Sequence, residues 1–242
     1  MKNGNNKATA DFENEWPFAE EMHSELVKMF GLETEAWATE RVARVMEKLQ
    51  ANREPATPFK TEILWMSTPT AFTVPGGYVY LTRELLQRVA TDDPVAFIIA
   101  HEIAHHELGH FNPFRKHVRA IPHVPGGFAA WVMLRAIERT AIGPEAEMDA
   151  DARALDLCLT SGYDGERCLT TFDILEAYAL DHRDLDIVFG PDEALEPGTT
   201  PWNRRMAQTR KWIWERTRGY MPIRERKEIL RYQLAYKQPV RA

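Results

Sequence analysis

The chain has 242 residues, 44% of them hydrophobic and 27% charged, with a formal net charge of −6 at pH 7. That length suits one domain with one sizeable core and terminal additions. The longest apolar runs, Val95–Ala100 and Gly126–Leu134, fall far short of the roughly 20 residues that cross a bilayer. Cys158 and Cys168 have neither metal-type nor framework spacing and read as buried free thiols.

In chain order, Met1–Pro17 reads as a flexible leader without the apolar core of a signal peptide. A cytoplasmic setting is the expectation, or a periplasmic one if a leader has been removed. Phe18–Phe30 and Thr34–Gln50 read as helices, joined by the polar, Pro-bearing Asn52–Pro58 to a change of period. Lys60–Met66, Thr70–Val74 and Tyr78–Thr82 are short runs rich in aromatic and β-branched residues. Pro75-Gly76-Gly77 separates the last two, which predicts a compact β unit with a tight turn. Thr82 is positioned to cap a short helix over Arg83–Ala90. The next helix spans Pro94–His110, with Asp93 as N-cap, Pro94 in the first position, and Gly109 and Pro113 marking its exit. A loop or broken helix follows over His110–Pro125. Helices are then expected at Phe128–Thr140, Glu145–Thr160 and Asp164–Asp181, a loop at Leu185–Thr200, and basic helices at Pro201–Arg218 and Pro222–Tyr236. The expected division is a leader over 1–17, a domain over 18–200, and basic helices over 201–242 packed on that domain.

The helix Pro94–His110 carries His101-Glu102-Ile103-Ala104-His105. Four residues of helix put both imidazoles on one face about a turn apart, within reach of a single zinc ion. Glu102 leaves the helix roughly 100° from His101, where it can act as a base without being a ligand. A solvated His-rich helix is the bland alternative, but the strongly apolar run before the motif argues for a buried helix, on which ionisable groups need a reason. His106 and His110 form a second i,i+4 pair pointing about 140° away, and a structural role is expected for them. A catalytic zinc needs a third protein ligand. The metzincin pattern requires Gly at 108 and His at 111, and the chain has Leu108 and Phe111. The gluzincin pattern takes a Glu from a later helix, where Glu147 and Asp151 share a face one turn apart. Glu147 is the expected ligand and Asp151 the expected hydrogen-bond partner of a motif histidine, with Glu145 and Asp149 on a more exposed face. An acidic first turn complementing the helix dipole explains the acidity but not that spacing.

Together, Ala71-Phe72 with Pro75–Thr82, His101–His105, and Glu147-x-x-x-Asp151 make the chain resemble the zinc metallopeptidase family of the CAAX prenyl endopeptidases and HtpX. The likeness runs from about Ala71 to Arg205 and is nearest to that family's soluble bacterial members. It implies an α+β, predominantly helical gluzincin-type fold with a small sheet beside the motif helix. It also implies one Zn²⁺ per chain on two His and one Glu, and endopeptidase activity on protein or peptide substrates. Thr70 and Thr200 stand where the family often carries Asn and His. Unfolded or damaged chains are the expected substrates, with Ala71, Phe72, Gly77 and Tyr78 as substrate contacts and Arg204, Arg205, Tyr78 or His110 as oxyanion donors. A zinc-stabilised binding or chaperone-like module, and a zinc hydrolase of non-peptide substrates, are the rival readings.

Charge is unevenly spread. Residues 1–199 carry 18 Lys/Arg against 33 Asp/Glu, and residues 200–242 carry 12 against 3. The basic end is expected to pack on the chain's own acidic body, with an acidic partner or membrane surface as the other reading and no nucleic acid expected.

Overall fold

A computed structural model of the protein describes residues 3–53, 58–112, 120–174 and 223–237. Its elements are α1 (Asn3–Phe30), α2 (Ala36–Gln50), β1 (Lys60–Leu64), β2 (Ala71–Val74), β3 (Tyr78–Thr82) and α3 (Arg83–Arg88). They continue with α4 (Asp92–Glu107), α5 (Phe128–Ala141), α6 (Pro144–Thr160), α7 (Gly165–Cys168) and α8 (Ile223–Lys237). No helix among the described residues is long and apolar enough to cross a membrane.

A three-stranded sheet in the order β1-β3-β2 divides two cores. β3 sits in the middle, parallel to β1 (Lys60↔Tyr78) and antiparallel to β2 (Val74↔Tyr78). Because side chains alternate along a strand, Val79 and Leu81 join a core with α2, α4 and α6, whereas Tyr78 and Tyr80 join Phe18, Met22 and Leu26 of α1. This explains why Tyr78–Thr82 is buried throughout. The outer edge of β1 is closed by the segment after α1: Glu33 N–H donates to Ile63 O (2.8 Å) and Trp65 N–H to Gly31 O (3.1 Å). The tight turn at Pro75-Gly76-Gly77 takes Gly76 to φ +98°, and a Cβ there would lie 2.6 Å from Ala19 Cβ. Glycine is required both by the backbone and by the approach of α1.

α4 is buried nearly all round, from Pro94 to Ala100 and again at Ile103–His106, as expected of a helix at the centre of a core. It packs most extensively on α6, where the small buried residues Ala150 and Ala154 leave room for close approach.

Several expectations need correction. The stretch read as a flexible leader is helical from Asn3, with Pro17 inside the helix, because the apolar residues from Phe18 to Leu26 dock that helix on the sheet. The N-cap of α4 is Thr91, not Asp93. Asp92 is taken by Arg41 (2.9 Å) and Arg44 (3.1 Å), and Asp93 Oδ1 accepts the Asp164 N–H (2.8 Å). Both carboxylates still complement the positive end of the helix dipole. The helix expected over Asp164–Asp181 is broken after α7 and resumes at 171–174, where the Thr170 hydroxyl donates back to Arg167 O (2.6 Å). The loop Leu185–Thr200 and the helix Pro201–Arg218, with Thr200, Arg204 and Arg205, lie outside the described residues.

α8 packs on α6 and α7. Arg226, Leu230 and Leu234, four residues apart, share one face, and the two leucines are buried. Around them Lys227 pairs with Asp173, Arg231 with Glu166, and Lys237 with Asp156.

Candidate metal centre

His101 and His105 leave α4 on the face turned to α6, and their Nε2 atoms approach to 2.9 Å. Glu147, in the first turn of α6, brings Oε2 to 3.7 Å from His101 Nε2 and Oε1 to 3.6 Å from His105 Nε2. Pro144 starts α6, and Glu147 N–H donates to Gly143 O (3.1 Å), which fixes the carboxylate's place on that turn. One donor atom from each of the three residues lies within 4.8 Å of the others. Two imidazole nitrogens and one carboxylate oxygen, with the fourth side open to a cleft, are a donor set that fits a divalent metal such as zinc.

A polar group lies behind each histidine ring. His101 Nδ1 lies 3.0 Å from Asp151 Oδ1. His105 Nδ1 lies 2.8 Å from His110 Nδ1. The second contact comes from the way α4 ends. Gly109 adopts φ +74°, Gly109 N–H donates to His106 O (3.0 Å), and His110 N–H donates to His105 O (3.0 Å). This is a Schellman turn, and it swings His110 back over the last helical turn. His106 and His110 are therefore not a pair. His106 Nε2 instead meets Thr73 Oγ1 on β2 at 2.6 Å, and that hydroxyl donates to Tyr78 O (2.7 Å).

The electrostatics differ between the two histidines. Burial opposes a charge on His101, but Asp151, then Glu147 and Glu102, outweigh it and raise its pKa to about 9. Burial, reinforced by the surrounding rings of His101, His110 and His106, holds His105 well below the ordinary histidine range and so neutral. Burial also works against the Asp151 carboxylate, yet His101 and Arg226 leave its pKa lowered.

His101, His105, Glu147 and Asp151 line a cavity of about 260 Å³. Glu102, Arg226, Thr70 and Ala71 line it too, and Leu85, Phe97, Ile98, Ile142 and Phe172 supply apolar lining. Glu145 and Asp149 are exposed, as expected.

The family model of Peptidase family M48 matches residues 33–213. The chain belongs to peptidase family M48. No curated protein matches it. It is thus a metallopeptidase, acting on protein or peptide substrates, and the mostly helical fold with a small sheet is consistent with the gluzincin type.

Of the four substrate contacts expected of this M48 peptidase, Ala71 lines the cleft and the other three do not. Phe72 is fully buried on the opposite face, stacked on Tyr80 at 5.1 Å. Tyr78 lies on that face too, its hydroxyl donating to Glu20 (2.7 Å) and accepting from Lys60 (3.0 Å). Gly77 belongs to the turn beyond the strand end, where its carbonyl accepts the Lys60 N–H (2.9 Å). Alternation along the strands sends the side chains of Phe72 and Tyr78 away from α4. Tyr78 is thereby removed as an oxyanion donor, and His110 is engaged with His105. Arg226, which sequence reasoning missed, is in the cleft. Its only signal was membership of a basic end facing an acidic body, which does not single it out from Arg224 or Lys227.

Proposed function

We propose that the protein is a zinc-dependent endopeptidase of unfolded or damaged chains, with one zinc held by His101, His105 and Glu147. The convergence of those three donors with Glu102 in one cleft carries this reading. Zinc, when bound, supplies Lewis acidity that polarises a scissile carbonyl and acidifies water. Glu102 takes the proton of the attacking water and returns it to the leaving amine, a base turned acid. Asp151 and His110 hold the two imidazoles from behind, so that each presents Nε2 to the cleft. Ala71 and Thr70 align the substrate. With β1 closed by residues 31–33 and β3 in the centre, β2 is the strand whose outer edge no described residue pairs, and Ala71 at its start lines the cleft. An extended peptide adds to such an edge through main-chain hydrogen bonds, which suits broad preference for unfolded chains.

The test is Glu102→Gln. It should keep stoichiometric zinc and the fold while losing at least about 10²-fold in turnover of an unfolded substrate. Full turnover in the zinc-loaded variant would refute the mechanism, and a wild type that binds zinc without cleaving any chain would leave a binding module.

A further inference from the structure

The cleft that holds the donor set also holds a cation. Arg226 comes from α8, which begins ten residues beyond the last residue matched by the family, 213. Its Nε lies 2.7 Å from Asp151 Oδ2 and its Nη2 2.8 Å from Asp151 Oδ1, a two-pronged contact. The same Nη2 lies 3.0 Å from Glu147 Oε2. One guanidinium thus grips both the carboxylate expected to bind the metal and the carboxylate behind His101. The side chains are 11% exposed for Arg226, 17% for Glu147 and 2% for Asp151, so water does little to screen these contacts.

We propose that Arg226 is a positioning residue of the metal centre: it sets the carboxylates of Glu147 and Asp151 in the arrangement that a metal requires, and so makes α8 a working part of the site. This rests on the reading of His101, His105 and Glu147 as the ligands. Two effects compete. A fixed positive charge repels a divalent cation, but the fork of Arg226 is already matched to Asp151. Among the described residues, the carboxylates of Glu102, Glu147 and Asp151 line the cleft together with the guanidinium of Arg226. Without Arg226 the two gripped carboxylates repel each other in a buried setting, and Glu147 loses the contact that orients it. Positioning therefore outweighs repulsion. The helix is built for this task, because Leu230 and Leu234 anchor the same face that carries Arg226.

The experiment is zinc affinity by competition with a chromophoric chelator, on the full chain and without reference to turnover. Arg226→Met should weaken zinc binding about 10–100-fold, the range for losing a group that orients a ligand. Arg226→Lys keeps the charge but not the fork and should restore part of that loss. Lys227→Met, next in the chain but paired with Asp173, should bind as wild type. Leu230→Ala loosens the helix without touching the carboxylates, and should cost more thermal stability but less zinc affinity than Arg226→Met. Unchanged or tighter binding by Arg226→Met overturns the proposal, as does an equal loss in Leu230→Ala. If Arg226→Met does not fold, Arg226→Lys decides: wild-type affinity overturns the proposal, and a loss of about threefold or more supports it. A wild type that binds no zinc removes the ligand reading and this proposal with it. A wild type that binds zinc beside an indifferent Arg226→Met removes only this one.

Discussion

Thr73→Val isolates the link between the sheet and the motif helix. Thr73 is 2% exposed. Its single hydroxyl proton goes to Tyr78 O at 2.7 Å, because a carbonyl can only accept. The contact with His106 Nε2 at 2.6 Å must then be an N–H donated by the ring. Valine keeps the shape and removes both bonds. Losing the bond to Tyr78 costs about 1 kcal/mol, and stranding the buried His106 N–H costs about 1–3 kcal/mol more. A total of about 2–4 kcal/mol is large against a typical stability of about 5–15 kcal/mol. The assay is urea unfolding of the metal-free protein followed by tryptophan fluorescence. The ring of His106 sits against Phe59 (5.3 Å) and Phe111 (5.0 Å), a setting that accepts phenylalanine. Adding His106→Phe removes the stranded donor and should recover at least about 1 kcal/mol of the loss in a double-mutant cycle. A loss below about 0.5 kcal/mol, or strictly additive mutants, would refute the hydrogen-bond assignment.

Further outcomes are expected at the centre itself. Glu147→Ala should abolish stoichiometric zinc binding, Asp151→Ala should weaken it about 10–100-fold, and Glu145→Ala and Asp149→Ala should leave it intact. Metal analysis after dialysis reads this out, and loss of metal in Glu145→Ala alone would put the wrong face of α6 in the site. In the metal-free protein the pKa of His101 stands at about 9, above the ordinary 6.5. Its contribution to stability is therefore full below about pH 6.5 and lost as pH rises through about 9. Zinc must displace that proton, so calorimetry at pH 7.5 in buffers of different ionisation enthalpy should detect proton release that fades above about pH 9, and heats independent of buffer would contradict it. A crystal structure with a peptidic inhibitor should show main-chain hydrogen bonds to residues 70–74, and an inhibitor touching only helices and loops would end the edge-strand reading.

Local pattern was enough for much of this protein. The i,i+4 spacing of His101 and His105 puts them on one face of any helix, and the same rule pairs Glu147 with Asp151. The aromatic and β-branched runs at 60–66, 70–74 and 78–82 mark the three strands. Such patterns say which side of its own element a residue leaves, and they hold wherever that element packs. They do not say which element waits on that side. That β1 pairs parallel with β3 and puts β2 on the outside of the described sheet depends on contacts between separate segments. The same holds for Phe72 and Tyr78, whose side of the sheet is the one covered by α1. His106 and His110 parted because α4 stops at Glu107 and Gly109 reverses the chain, so helical spacing no longer applied. Arg226 reached the centre from 75 residues beyond Asp151, carried by the burial of Leu230 and Leu234. The driving force there is non-directional removal of apolar surface from water, and only the packed core converts it into the position of one guanidinium.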